Sequence, residues 1–190
     1  MDGGGAFLRA ARLLGRTAER AGFFAQALTP AWPQPPGSPD RAFARLSPAP
    51  ILDLNAPWRF HLEVVSDPTL AVIPPMGNAL LPGGRLLVNS PSSPASPDGG
   101  PRVHWADFSA LAALHRGELA AGLAAGACAI LGTIAPEMPL GIHLIEALLA
   151  EGGEGLAGPA SLALARASFV AAQSARPAAP PGPARGGMEN

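Results

Sequence analysis

Two short apolar runs in this chain stop on small polar residues, and those stops are where chemistry would gather. Leu62-Glu63-Val64-Val65 ends in Ser66-Asp67-Pro68, and Leu86-Leu87-Val88 ends in Asn89-Ser90-Pro91. Short, branched-rich, bounded runs are what parallel strands buried on both faces look like. In open α/β sheets ligands and partners collect at the carboxyl ends of such strands, where Ser66, Asp67, Asn89 and Ser90 would lie. Asp67 precedes Pro68, which also suits a plain turn former. A second candidate is Gly3-Gly4-Gly5, because a glycine turn at a helix start offers free N–H groups and a positive dipole end to a phosphate. No acid follows about twenty positions on at a strand end, where a dinucleotide ribose would need one. Without a preceding strand, the ordinary reading of the glycine run is a flexible start.

The remaining reactive types form no constellation. His61, His104, His115 and His143 lack metal-ligand spacing and read as surface or strand-edge residues, and no serine or cysteine sits in a nucleophile motif. Cys128 is the one cysteine, which excludes an internal disulfide, a CxxC pair, a zinc ribbon or a cysteine-held iron–sulfur cluster within the chain. It lies in an apolar helical stretch and reads as an inert core thiol. No catalytic residue and no metal site is therefore expected.

The elements that must position these residues can be followed in order. Phe7, Ala10, Ala11, Leu14, Ala18 and Ala21 share one face of a first helix whose arginines share the other, and Gly22 is placed to end it. Residues 23–28 read as a short strand. Residues 30–40 are too proline-rich for helix or central strand. Residues 41–46 alternate as a half-exposed strand, and 51–54 could pair with it across the Ser47-Pro48-Ala49-Pro50 turn. The two core runs follow, the second entered through a Leu80-Leu81-Pro82-Gly83-Gly84 turn. A loop at 91–101 and a strand at 102–108 come next. Three helices, at 119–134, 140–150 and 159–173, then close a domain of residues 1–175, and 176–190 form a disordered Pro/Gly/Ala-rich tail. The expected fold is α/β, three-layer and Rossmann-like, with a mainly parallel sheet flanked by helices.

Composition narrows the partners. At 190 residues and 48% hydrophobic content the chain can build one core. A net charge of −1 gives no electrostatic reason to bind nucleic acid or an anionic membrane. All 13 basic residues are arginine, and tyrosine is absent, a bias that looks like drift in a G+C-rich genome. Arg9, Arg12, Arg16 and Arg20 interrupt any signal-peptide core. The uncharged run 119–136 falls short of the ~20 residues a membrane span needs. Its Gly122 and Gly126 form a GxxxG spacing, which in a soluble protein means that another backbone packs close. A cytoplasmic home is the simplest reading.

In this order the chain resembles the gamma subunit, or gamma domain, of pyruvate and related 2-oxoacid:ferredoxin oxidoreductases. The resemblance runs through Gly3-Gly4-Gly5-Ala6-Phe7-Leu8, Gly22-Phe23-Phe24-Ala25-Gln26-Ala27, and Arg41-Ala42-Phe43-Ala44-Arg45-Leu46-Ser47. It is most marked at Val64-Val65-Ser66-Asp67-Pro68-Thr69-Leu70 and Leu81-Pro82-Gly83-Gly84-Arg85-Leu86-Leu87-Val88-Asn89-Ser90. It covers about residues 3–173. No single motif is specific, and the weight rests on their order. The chain departs from the family in four places: only Met1-Asp2 precede the glycines where the family has a first strand, the glycine turn lacks the family's glutamine, a proline-rich stretch replaces a charged, Arg-containing loop, and an asparagine common in the helix before Leu131-Gly132 is missing.

The resemblance implies a gamma-type subunit without a cofactor of its own. Partner subunits would hold thiamine diphosphate and iron–sulfur clusters, oxidise pyruvate or a related 2-oxoacid, deliver the acyl group to coenzyme A, and pass electrons to ferredoxin or a similar acceptor. Gly3, Gly4, Gly5, Asp67, Asn89 and Ser90 would then line one wall of the coenzyme A cleft or touch a neighbouring subunit. The 30–40 loop with Trp32, and the arginines of 41–46, are the expected partner surface. Two other readings stand beside this one. Leu80-Leu81-Pro82-Gly83-Gly84-Arg85-Leu86 also looks like the turn that leads into a strand of adenosylmethionine-dependent methyltransferases, and a stand-alone α/β scaffold or binding protein would share the same pattern.

Overall fold

The computed structural model of the protein describes residues 3–30, 40–69, 76–94 and 100–174. In chain order these form α1 (Gly3–Arg20), β1 (Phe24–Leu28), β2 (Phe43–Ser47), β3 (Phe60–Val65), β4 (Leu80–Asn89) and β5 (Arg102–Ala106). They continue as α2 (Phe108–His115), α3 (Leu119–Ile134), α4 (Ile142–Ala150) and α5 (Pro159–Ser174). β3, β4 and β5 make a parallel sheet in that order, and β1 pairs with β2 in a separate antiparallel sheet. The α/β expectation and the two parallel core strands hold.

β4 is central and apolar on both faces. On one face Leu87 packs with Ala106 of β5, Phe108 of α2, Leu123 and Ile130 of α3, and Ala172 of α5. On the other, Leu86 and Val88 join Val65 and Val103, with Phe60, Met76 and Trp105 against them. Leu87 and Val88 are fully buried, each worth about 1.5–3 kcal/mol relative to exposure. This two-sided burial is why β4 carries consecutive rather than alternating apolar residues.

α3 is the helix on which the others pack, and its residues from Ala120 to Ile130 are all buried. The two glycines of the GxxxG spacing are closely packed, but against side chains rather than the second backbone that the spacing suggested. A Cβ on Gly122 would stand 2.8 Å from Ser168 Oγ of α5, and one on Gly126 would stand 2.9 Å from the Phe108 ring. α1 covers the antiparallel pair and also meets α3. It ends at Arg20, and Gly22 follows with φ +89°, a left-handed conformation that glycine takes without strain.

Three expectations need correction. The 51–54 segment forms no strand: Arg45 Nη1 donates to Asp53 O (2.6 Å) and Nη2 to Asn55 O (2.8 Å), so a side chain takes the carbonyls a ladder would have used. The partner of β2 is β1 instead, with Leu28 opposite Phe43. The Leu80-Leu81-Pro82-Gly83-Gly84 stretch is no separate turn. It is the first half of β4, where the register moves from Phe60↔Leu80 to Leu62↔Arg85 and Gly83 takes φ +79°, the bulge that Pro and Gly favour. Residues 107–108 begin a helix, α2, rather than ending a strand, because Asp107 Oδ1 accepts Ala110 N–H (2.7 Å) as an N-cap. His104 lies on β5, the edge strand of the parallel sheet, and is buried there, since it points to the same side of β5 as Ala106. The expected loops at 31–39 and 95–99, with Trp32, and the tail at 176–190 lie outside the described residues.

Candidate functional site

The carboxyl edge of the parallel sheet brings together the polar residues that end its strands. Asn89, the last residue of β4, donates from Nδ2 to Ser66 O at the end of β3 and to Ser109 Oγ in the first turn of α2, both at 2.8 Å. Its Oδ1 accepts Ser109 N–H at 3.1 Å. One amide thus joins β3, β4 and the start of α2. The helix gains a partner for an N-terminal N–H that has none within it. Asn89 is only 8% exposed, and a buried side-chain amide without such partners would be costly.

Asp67 and Ser90 flank this clamp. Asp67 Oδ1 accepts Thr69 N–H (2.9 Å) and Thr69 Oγ1–H (2.6 Å), the local turn that an Asp before proline forms. Its side chain is exposed at the lip of the edge. Ser90 Oγ donates to Ser92 O (2.7 Å) and folds the chain back as it leaves β4. Ser66, Asp67, Asn89 and Ser90 therefore share one edge, as expected. Much of their hydrogen-bonding capacity is used in holding that edge, which leaves Asp67 as its exposed ionisable group. Gly3, Gly4 and Gly5 form the first turn of α1, and no described hydrogen bond ties them to this edge.

Sequence reasoning missed Ser109, although Asp107-Phe108-Ser109-Ala110 carries the N-cap signal that places it. It also missed Glu63 on β3, which accepts Gly77 N–H at 3.0 Å. Burial pushes the Glu63 carboxyl above its usual value, against the opposing pull of the Gly77 N–H and the Arg41 charge. Cys128 is fully buried in α3, and burial alone pushes its thiol far up, which leaves it protonated and unreactive. Among the described residues no group of three or more His, Cys, Asp or Glu could hold a metal ion. Among the same residues no helix is long and apolar enough to cross a membrane.

A second concave feature was not foreseen. A groove of about 540 Å³ runs between β2 and β3, floored by α1 and α3. Phe43 of β2 and Phe60 of β3 stack within it, ring centroids 5.6 Å apart and 5° from parallel. On the connection between these strands, Leu52, Leu54 and Trp58 are 88%, 78% and 89% exposed.

No family model matches the chain, and no curated protein matches it in sequence. Solved structures do match in fold. A pyruvate oxidoreductase subunit from Thermotoga maritima superimposes with a TM-score of 0.62 at 20% identity, over 88% of this chain and 90% of that one. The gamma subunit of a keto/oxoacid ferredoxin oxidoreductase from Geobacter sulfurreducens gives 0.61 at 16% identity, over 90% and 89%. A 2-oxoglutarate:ferredoxin oxidoreductase from Magnetococcus marinus, solved with 2-oxoglutarate, coenzyme A and succinyl-CoA bound, gives 0.59 at 14% identity. That match takes in 93% of this chain but 30% of that longer one. The chain has the fold of the gamma subunits of 2-oxoacid:ferredoxin oxidoreductases.

Proposed function

We propose that this chain is the gamma-type subunit of a 2-oxoacid:ferredoxin oxidoreductase, working inside a hetero-oligomer that converts pyruvate or a related 2-oxoacid to acyl-coenzyme A. The observation that carries this reading is fold agreement over about nine tenths of both chains with two such subunits. A short shared motif would not extend from α1 to α5. The chain's residues fit a scaffold role: its single, buried cysteine cannot hold an iron–sulfur cluster by itself, and on this reading the clusters and thiamine diphosphate belong to partner subunits. On this reading Asp67, Asn89 and Ser90 form one wall of the coenzyme A cleft or meet a neighbouring subunit. Asn89 shapes that wall, and Asp67 presents the exposed charge on it. The first N–H groups of α1, at Gly3, Gly4 and Gly5, are the chain's other offer to an anionic group.

The test is purification of the tagged chain from its host. Larger subunits, thiamine diphosphate and iron are expected to come with it, together with pyruvate- or 2-oxoacid-dependent, coenzyme A-dependent reduction of a one-electron dye. The isolated chain is expected to be colourless and inactive in that assay. Turnover by the isolated chain, or a preparation from the host that never carries thiamine or iron, overturns the reading.

A further inference from the structure

At the carboxyl edge of the parallel sheet the hydrogen-bond donors are committed and acceptors stand open. In the first turn of α2, Ser109 N–H goes to Asn89 Oδ1 (3.1 Å), Ala110 N–H to Asp107 Oδ1 (2.7 Å) and Leu111 N–H to Asp107 O (3.1 Å). The remaining N–H of that turn belongs to Phe108, which is fully buried. At the strand ends Thr69 N–H goes to Asp67 Oδ1 (2.9 Å), Ser90 N–H to Ala106 O (3.0 Å) and Ser92 N–H to Ser90 Oγ (3.3 Å). The Asn89 amide divides its Nδ2 donors between Ser66 O and Ser109 Oγ. The two carboxylates differ from these groups. Asp67 and Asp107 each accept through Oδ1, and among the described residues no hydrogen bond or ion pair reaches Oδ2 of either.

Charge runs the same way. The stretches 64–69, 86–94 and 105–114 that build the edge contain no arginine, lysine or histidine, and their ionisable groups are Asp67 and Asp107. His104, the base nearest to them in sequence, is buried within β5. The phosphates of coenzyme A are multiply charged and offer acceptors rather than donors at neutral pH. A phosphate on this edge would lack the free N–H groups that a helix start ordinarily gives it, and it would face carboxylates of its own sign. A group that donates hydrogen bonds meets the open Oδ2 atoms without either cost, and most strongly when it is cationic.

We infer that this edge rejects anions and takes hydrogen-bond donors. The phosphate end of coenzyme A lies off it, and the group of coenzyme A or of a neighbouring subunit that meets Asp67 is neutral or cationic there. This narrows the role proposed above for Asp67, Asn89 and Ser90, and it rests on that reading where it names coenzyme A. The first arm of the test therefore needs no complex. Inorganic pyrophosphate is titrated into the full chain, and backbone amide shifts are followed against a sodium chloride series of equal ionic strength. Amides of 66–69, 89–92 and 107–111 are expected to move no further than in the chloride series, and pyrophosphate-specific shifts confined to residues 3–6 agree with the inference. Pyrophosphate-specific shifts at the edge overturn it. They do so equally if they vanish in Arg176→Ala or Arg185→Ala, because the chain's own arginines would then supply the cation. The second arm uses the complex recovered from the host. Asp67→Asn keeps an acceptor for Thr69 N–H and is expected to change the dissociation constants of coenzyme A and pantetheine alike. If it tightens coenzyme A about fivefold more than pantetheine, the size of one unit-charge repulsion at contact in water, the inference is overturned. Failure to recover any complex counts against the oxidoreductase reading, and the pyrophosphate arm then decides the inference by itself.

Discussion

At the scale of single residues the candidate edge is held by Asn89, and its three hydrogen bonds make it testable. Asn89→Ala leaves Ser66 O and the Ser109 N–H without that partner, and a loss of about 2 kcal/mol is expected. In a domain of this size that lowers Tm by roughly 4–8 °C in a thermal melt. An unchanged Tm would mean that water replaces the amide without loss. Glu63 gives the pH-dependent counterpart. Burial raises its pKa in the fold above the unfolded value, so between those two values the native state binds more protons and stability falls as pH rises. Glu63→Gln keeps an acceptor for Gly77 N–H without the buried charge. The variant should therefore melt higher than the parent at pH 7, and the gap should close as the pH falls toward the ordinary carboxylate range. Equal melting at both pH values would remove burial as the cause. The strand-end positions of Asp67, Asn89 and Ser90 were legible from their place after apolar runs. What Asn89 does there was not, because Ser109 reaches it only across the register of β4 with α2.

The elements were the most legible level, since helix and strand periods are local properties of sequence. α3 shows where local reading stops. Gly122, Gly126 and Gly132 look alike as glycines in one apolar helix, and only tertiary packing separates them. A Cβ at Gly126 would meet the Phe108 ring at 2.9 Å and Leu87 at 3.2 Å, whereas one at Gly132 meets nothing within 4 Å. Opposite signs are therefore expected for the same substitution. Gly126→Ala should cost about 1–3 kcal/mol through overpacking, and Gly132→Ala should gain roughly 0.5–1 kcal/mol from helix propensity. Denaturant midpoints of the two variants check this, and the same sign for both would show that the close approach at Gly126 relaxes freely. The failed strand at 51–54 teaches the same lesson from the other side. Its composition permits a strand, but the Arg45 guanidinium holds the Asp53 and Asn55 carbonyls, and Asp53 Oδ1 accepts Asn55 N–H at 2.9 Å. Side-chain hydrogen bonds of this kind compete with a ladder without leaving a periodic trace in the sequence.

For the whole molecule, the order of the elements was readable because each apolar run and glycine turn falls where this fold needs it. The division into two sheets was not, since it depends on which edges remain unpaired after packing. The same holds for the partner surface. The arginines of 41–46 looked free in sequence, but Arg45 is bound to the chain's own loop. Among the described residues, packing leaves Leu52, Leu54 and Trp58 exposed within one connection, that between β2 and β3, while Phe24, Leu114 and Val170 are exposed singly elsewhere. Large apolar side chains exposed together on one connection mark a contact site, and tryptophan is among the residues that most often dominate binding energy. Trp58 is 89% exposed, so its removal takes little from the fold of the chain itself. Trp58→Ala is expected to change stability by no more than about 0.5 kcal/mol, a Tm shift of roughly 1–2 °C. It should also reduce the partner subunits recovered with the tagged chain from its host. Trp32→Ala, in the proline-rich stretch, provides the comparison within the same assay. Loss of Tm in parallel with association would place Trp58 in the chain's own packing. Full recovery of partners with Trp58→Ala and reduced recovery with Trp32→Ala would move the interface from the β2–β3 connection to the 30–40 segment.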